Sequence, residues 1–211
     1  MSLKKAGLII FIILLIDQVS KIYIKTHYQL HGGFNVLGME WFRIYFIENE
    51  GMAWGAQIPG KYGKLFLTLF RLAAIVGIGY WLWDSVKKQT SRILTIAVSF
   101  IFAGAFGNII DSVFYGLIFN DSLGQVATFM PEGGGYAPVF YGKVVDMLYF
   151  PIWSGDLPEW FPFWGGESFT FFEPVFNIAD ASITTGVLML LVFHRKAFPK
   201  KTDSVESLND D

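Results

Sequence analysis

Four aspartates sit in or beside strongly apolar runs, where an acid needs a reason to be kept. Asp180 closes Phe176-Asn177-Ile178-Ala179-Asp180, a stretch that continues Ala-Ser-Ile-Thr-Thr-Gly-Val-Leu-Met-Leu-Leu-Val-Phe and reads as a bilayer span. An acid near the middle of such a helix costs about 2.5–3.5 kcal/mol on insertion scales. Asn177, three residues earlier, shares its helix face. Asp146 lies in a second apolar run, Val144-Val145-Asp146-Met147, and Asp17 and Lys21 form an i,i+4 pair in the first. In the third, Gly107-Asn108-Ile-Ile-Asp111 repeats the Asn-to-acid spacing. Asp17, Asp111 and Asp180 fall at similar depth, and Asp146 enters from a loop on the same side. That convergence implies a polar pocket open to one face rather than a through-channel. Two carboxylates in a shared low-dielectric site do not both ionise readily, so one holds its proton near neutral pH. The ionised member can then take a proton from water while the neutral one hydrogen-bonds a carbonyl, which is hydrolysis without thiol, serine or metal. Asp146 and Asp180 are expected to be that pair.

Composition places these residues in a bilayer. Of 211 residues, 53% are hydrophobic, 18% aromatic and only 16% charged, and the mean hydropathy is +0.45. A net charge of -2 without a basic stripe excludes a nucleic-acid surface. The absence of cysteine removes thiol catalysis, thiolate zinc sites and disulfides. His27, His31 and His194 form no HExxH pattern and lie beside no candidate serine, so neither metal nor cofactor is expected.

Four spans of membrane-crossing length are expected, at about 6–24, 65–83, 93–117 and 175–193. They would make a mainly α four-helix bundle. Outer loops would cover about 26–64 and 118–174, in one catalytic unit over 1–198 with a disordered polar tail at 199–211. Lys4 and Lys5, then Lys87, Lys88 and Arg92, then Arg195, Lys196, Lys200 and Lys201 fall on one side of such a bundle. The positive-inside rule makes that side, with both termini, cytoplasmic. Arg71, near the start of the second span, reads as a snorkelling side chain on a scaffold helix. Gly104 and Gly107 are small enough to let another backbone approach the third.

The first outer loop contains Trp41-Phe42-Arg43-Ile44-Tyr45-Phe46-Ile47, an aromatic and β-branched run, followed by Glu48-Asn49-Glu50-Gly51-Met52-Ala53-Trp54. A strand and a glycine-permitted turn follow, hence a small sheet on the outer membrane surface. The turn chemistry alone makes Asn49 and Gly51 ordinary hairpin residues. In the second outer loop, Val144 to Ile152 reads as a strand or re-entrant piece, and Trp153, Trp160, Phe161, Phe163, Trp164, Phe169, Phe171 and Phe172 form an aromatic belt for the headgroup layer.

On the residues alone, a protease, a proton-coupled transporter and a non-enzymatic membrane scaffold all remain open. The ordered set Asp17-Gln-Val-Ser-Lys21, Asn49-Glu-Gly51-Met-Ala53, Gly107-Asn108-Ile-Ile-Asp111, Val144-Val-Asp146 and Phe176-Asn177-Ile-Ala179-Asp180 resembles the lipoprotein signal peptidase (signal peptidase II) family of aspartic intramembrane proteases. The resemblance implies removal of the signal peptide from diacylglyceryl-modified prolipoproteins, by a cut N-terminal to the lipidated cysteine. It implies a monomer in the bacterial cytoplasmic membrane, surrounded by membrane lipids, with its site toward the outer face. Asp146 and Asp180 would be the catalytic pair, with Asn177 orienting them. Asp17, Lys21, Asn49, Gly51, Gly107, Asn108, Asp111 and Ala179 would shape the pocket and contact substrate. Two departures stand out: Ser112 follows Asp111 where the family usually has arginine, and Trp54 stands where phenylalanine is more usual. The stretch from Phe119 to Lys143 is longer than the family pattern, either a lid or partner surface or a tolerated loop expansion.

Overall fold

The computed structural model describes residues 1–50, 60, 62–162 and 164–199. Gly51, Ala53, Trp54 and Phe163, and the expected tail from 200 onward, lie outside the described residues.

Three helices are long and apolar enough to cross a membrane: α1 (Leu3–His27), α2 (Gly63–Lys87) and α3 (Arg92–Ile118). The Ser2 side chain caps α1 and that of Ser91 caps α3, each accepting a backbone N–H of the first turn. Leu8, Phe11, Leu15, Phe70, Val76 and Tyr80 stand exposed along α1 and α2. A bilayer takes up such faces at no cost, whereas water would not. Inside, the pattern is reversed, and Asp17, Lys21 and Asp111 are fully buried.

The fourth apolar run departs from expectation. Its helix, α4 (Ile178–Val192), has 15 residues, about 22 Å by the helical rise, and is followed by the single turn α5 (His194–Ala197). Val175 and Phe176, expected inside the span, instead form a strand. Asn177 is therefore the N-cap of α4 and Asp180 belongs to its first turn, not to the middle of a helix. The last polar turns of α3 also differ from plain α-helix, because Asp111–Tyr115 is π-helical. Such a widened turn re-aims side chains and is frequent at functional sites.

Small strands cover one end of the bundle. β1 (Gly33–Asn35), β2 (Arg43–Asn49), β3 (Val144–Tyr149) and β6 (Val175–Phe176) form an antiparallel sheet in the order β1-β2-β3-β6. The hairpin of β4 (Trp153–Asp156) and β5 (Ser168–Phe171) stands apart as a second sheet. Ile47, Glu48 and Asn49 pair with Asp146, Val145 and Val144 across β2 and β3, beyond a register shift between Ile44 and Ile47. Asn49 is thus the last residue of a strand rather than part of a turn, and the shift is the kind of irregularity that re-aims a strand end. Phe46, Val145 and Met147 of this sheet pack with Ile24, Tyr115 and Phe119 from the ends of α1 and α3. On the second hairpin and its connection, Trp153, Trp160, Trp164, Phe169 and Phe171 are exposed.

The 119–143 stretch is tied down at its base. Lys25, fully buried, pairs with Glu48, and Ser122 bonds to both. The Lys25 ammonium stands 5.4 Å from the Phe119 ring and 5.1 Å from that of Tyr136.

Close approach of α3 and α4 depends on glycine. A Cβ on Gly104 would fall 2.1 Å from the Ala179 carbonyl oxygen and 2.7 Å from Ile183, and one on Gly107 would fall 2.7 Å from Asp17 Oδ2. On the other flank, a Cβ on Gly186 would meet the Ala97 carbonyl oxygen at 2.6 Å. Gly104→Ala is expected to lower stability by about 1–3 kcal/mol through this overpacking, read as a drop in the thermal midpoint of the detergent-solubilised protein.

Candidate active site

The polar residues singled out in the sequence meet where α1, α3, α4, β2 and β3 come together. Lys21 is the hub of the inner half. Its Nζ lies 2.9 Å from Asp17 Oδ2 and 2.9 Å from Asp111 Oδ2, with all three side chains out of contact with solvent. The same ammonium donates to Asn108 Oδ1 at 2.9 Å. A buried lysine needs such partners, because an unpaired ammonium would carry an uncompensated desolvation cost.

Each acid also secures a backbone. Asp17 Oδ1 accepts the Ala179 N–H at 2.9 Å, which fixes the first turn of α4 against α1. Asp111 Oδ2 accepts the Val145 N–H at 3.3 Å, which fixes β3 against α3. Gln18 closes the cluster by donating to Asp17 Oδ2 and to Asp111 Oδ1, both at 3.0 Å, while Tyr115 donates to its carbonyl oxygen at 3.1 Å.

Asn108 links this cluster to the outer half, where the two expected partners stand. Its amide donates to Asp180 Oδ1 at 2.8 Å. Asn177 touches both acids: its side-chain amide donates to Asp146 Oδ1 at 2.7 Å, and its backbone N–H donates to Asp180 Oδ2 at 3.3 Å. In return the Asn177 side-chain oxygen accepts the Asp180 N–H at 2.9 Å, a capping box that places Asp180 by the helix start itself. Asn49 reaches across from β2 to Asp146 Oδ2 at 3.3 Å.

The electrostatics follow from this packing. Asp146 is 2% exposed. Burial, then the neighbouring Asp180 carboxylate, pushes its carboxyl up to about 7 against the opposing pull of Asn49, Lys21 and Asn177. An acid so placed can be neutral or charged at physiological pH, as proton-sharing chemistry requires. Among the described residues, no group of three or more His, Cys, Asp or Glu side chains is arranged to hold a metal ion.

Asp17, Lys21, Asn49, Gly107, Asn108, Asp111, Asp146, Asn177, Ala179 and Asp180 are therefore gathered into one region. Gly51 lies outside the described residues. Where the resemblance expects arginine, Ser112 is buried and its hydroxyl donates to the Asn108 carbonyl oxygen at 2.9 Å, one turn back along α3. Gln18 and Tyr115 were not among the expected site residues. Gln18, half-buried, lies between Asp17 and Lys21 in sequence, and an amide inside an acid–base motif on an apolar run was the available signal. Arg71 was also missed: its guanidinium feels the charges of both Asp180 and Asp146.

Comparison with known proteins agrees with this geometry. The lipoprotein signal peptidase of Porphyromonas gingivalis is 45% identical over 206 residues, covering 97% of this chain and 89% of its own. That of Amoebophilus asiaticus is 37% identical over 197 residues, covering 91% of this chain and 78% of its own. Two bacterial membrane enzymes solved by the in meso method share the fold. One, at 2.3 Å resolution, superposes with a TM-score of 0.62 at 23% identity over 95% of this chain and 94% of that one. The other, at 1.9 Å, has a TM-score of 0.60 at 25% identity over 95% and 96%. These likenesses favour a multi-pass membrane protease over the transporter and scaffold readings. The family profile of signal peptidase II matches residues 9–195, and the chain belongs to that family.

Proposed function

We propose that this protein removes the signal peptide from diacylglyceryl-modified prolipoproteins, cutting N-terminal to the lipidated cysteine, with Asp146 and Asp180 as the hydrolytic pair. Family membership and the relatives named lipoprotein signal peptidase support the reaction. The observation that carries the pair is that one residue, Asn177, hydrogen-bonds both carboxylates.

In this reading Asp180 takes a proton from a water molecule as the water oxygen bonds to the scissile carbonyl carbon, and neutral Asp146 gives its proton to the carbonyl oxygen. Collapse of the resulting diol breaks the C–N bond. One hydroxyl proton returns to Asp146, and the proton held by Asp180 passes to the departing amine nitrogen. Asn177 and Asn108 orient the two acids. The buried Lys21 cluster and Asn49 hold α1, α3, β2 and β3 in register around them, and Gly107 and Ala179 allow α4 to sit close. Gly51 is placed with these by its motif alone.

The proposed topology has four spans, α4 being the fourth and shortest, with both termini cytoplasmic and residues 1–198 acting as one catalytic unit. Two features support it. The Lys/Arg-rich ends of α1, α2 and α4 fall together under the positive-inside rule. The site groups occupy the opposite ends, namely the C-terminal half of α1, the C-terminal turns of α3 and the first turn of α4. The pocket then opens to the outer face of the bacterial cytoplasmic membrane, where the exposed tryptophans of the β4–β5 hairpin meet the headgroups. The enzyme works as a monomer among membrane lipids.

The purified protein in mixed micelles, given a diacylglyceryl-modified precursor and its unlipidated twin, is expected to cut only the former. Mass measurement of both products locates the bond. Equal cleavage of the twin, or a cut elsewhere than before the modified cysteine, would overturn the reading.

A further inference from the structure

One stripe of α2 faces the site. Lys64, Thr68, Arg71 and Ile75 recur at i, i+4, i+7 and i+11. Three of the four are anchored to the site's surroundings. Lys64 pairs with Glu50, the residue after Asn49. Thr68 donates its hydroxyl proton to the Phe140 carbonyl oxygen at 3.1 Å and is 2% exposed. Ile75 packs with Ile109 and Val113 of α3, on either side of Asp111 and next to Asn108. Arg71 stands between Thr68 and Ile75, half-buried, and its guanidinium feels the charge of Asp180 first and of Asp146 second. No hydrogen bond or ion pair with another described residue occupies its guanidinium.

The other charges around the pair are already matched. From α1, Lys21 is shared by Asp17 and by Asp111 of α3. Glu50, following β2, takes Lys64 of α2. Glu48 of β2 takes Lys25 of α1 and, at 3.4 Å, Lys143 ahead of β3. Lys21, already shared by two acids, also pulls on Asp146, whereas Arg71 feels the charges of both Asp146 and Asp180 and has no ion-pair partner of its own among the described residues. Guanidinium stays charged at every accessible pH and is more weakly hydrated than ammonium, which suits it to a half-buried place near a membrane.

We propose that Arg71, held on the site-facing stripe of α2, is a positioning residue that acts through Asp146 and Asp180 by keeping that pair singly charged over the working pH range. This rests on the proposed pair. A fixed cation beside two acids favours their ionised forms, so it lowers both steps in which the pair loses a proton. Removing it moves both steps upward. The bell-shaped dependence of kcat/KM on pH, which reports the free enzyme's acid and base, moves with them.

The test is the pH profile of kcat/KM for a diacylglyceryl-modified precursor, measured with wild type, Arg71→Gln, Arg71→Met and Arg71→Lys, each checked for its thermal midpoint. Both neutral variants are expected to show acid and alkaline limbs displaced to higher pH by about one unit. On the acid limb they fall about tenfold against wild type when each is scaled to its own maximum, and on the alkaline limb they rise by the same factor. Arg71→Lys keeps the wild-type profile. A residue that merely packs α2 would lower the whole curve without moving it. An unmoved bell in whichever neutral variant folds, or a lysine variant displaced as far as the neutral ones, overturns the proposal for Arg71. The pair itself is judged separately: full turnover by Asp146→Asn or Asp180→Asn would remove the pair, whereas inactive Asn variants with an unmoved Arg71→Gln profile would remove only the arginine's role.

Discussion

Asp146→Asn and Asp180→Asn are each expected to reduce kcat for a lipidated precursor by about a thousandfold, within the range that a positioned acid or base supplies. The amide preserves size and much of the bonding. Asn177 can still donate to the side-chain oxygen left at position 146, and at position 180 the one remaining oxygen keeps either the Asn108 bond or the backbone N–H of the capping box. What is lost is the exchangeable proton. Stability separates this from a folding defect. The Asp146 carboxyl is raised by burial to about 7 in the folded protein, against roughly 3.9 in an unfolded chain. Between those values the unfolded chain releases a proton that the folded one retains, so Asp146 makes the protein less stable as pH rises from about 4 to 7, by on the order of 4 kcal/mol in all. Asp146→Asn removes that penalty. The inactive variant should therefore melt above wild type at pH 8 and level with it at pH 4. Substantial turnover by either Asn variant would exclude the pair, and a pH-independent drop in the melting point of Asp146→Asn would contradict the burial argument.

The second large effect concerns Lys21. Lys21→Met keeps the length of the side chain and removes its charge, leaving Asp17 and Asp111 facing each other inside the bundle without the ammonium that sits 2.9 Å from each. Removing one partner of a buried ion pair costs about 3–5 kcal/mol, because the remaining charge keeps its desolvation penalty and loses its compensation. Here two acids are stranded together, so at least one must take up a proton. Each also loses part of its hold on a backbone N–H, Ala179 for Asp17 and Val145 for Asp111. Lys21→Met should accordingly show a fall of the order stated in unfolding free energy, with activity lost as α4 and β3 loosen. Adding Asp17→Asn and Asp111→Asn to it should recover part of that stability, since neutral amides still offer an oxygen to the same N–H groups. A single variant within about 1 kcal/mol of wild type would show the cluster to be dispensable.

What the sequence revealed, and what it hid, follows from where physical cost is visible in one dimension. Asp17, Asp111, Asp146 and Asp180 were conspicuous because acids in apolar runs are costly wherever the chain then goes. Gly104 and Gly107 were legible for a similar reason, as small residues on a span. The start of the last helix was not, since Val175 and Phe176 are as apolar in a strand as in a span, and a short apolar run does not declare its period. The consequence was to read Asn177 and Asp180 as neighbours on a helix face when they are cap and first turn. Asn49 was hidden by its surroundings, because its glycine-rich sequel suggested a turn while pairing with Val144 decided for a strand. Arg71 was hidden most completely. A lone cation near a helix start looks like a lipid-facing anchor until the partner helix shows which way its stripe faces.

Asp17 and Ala179 are 162 residues apart, yet the bond between them seats the helix that carries Asp180. With Asp180 in the proposed pair, a chain emerging from the ribosome completes its three long apolar helices before any cleavage chemistry exists, with the glycine-lined socket on the third waiting for the last. On the proposed pair and topology, proteolytic competence arrives only with that last helix, so a product that stops before it leaves no partly active protease in the membrane.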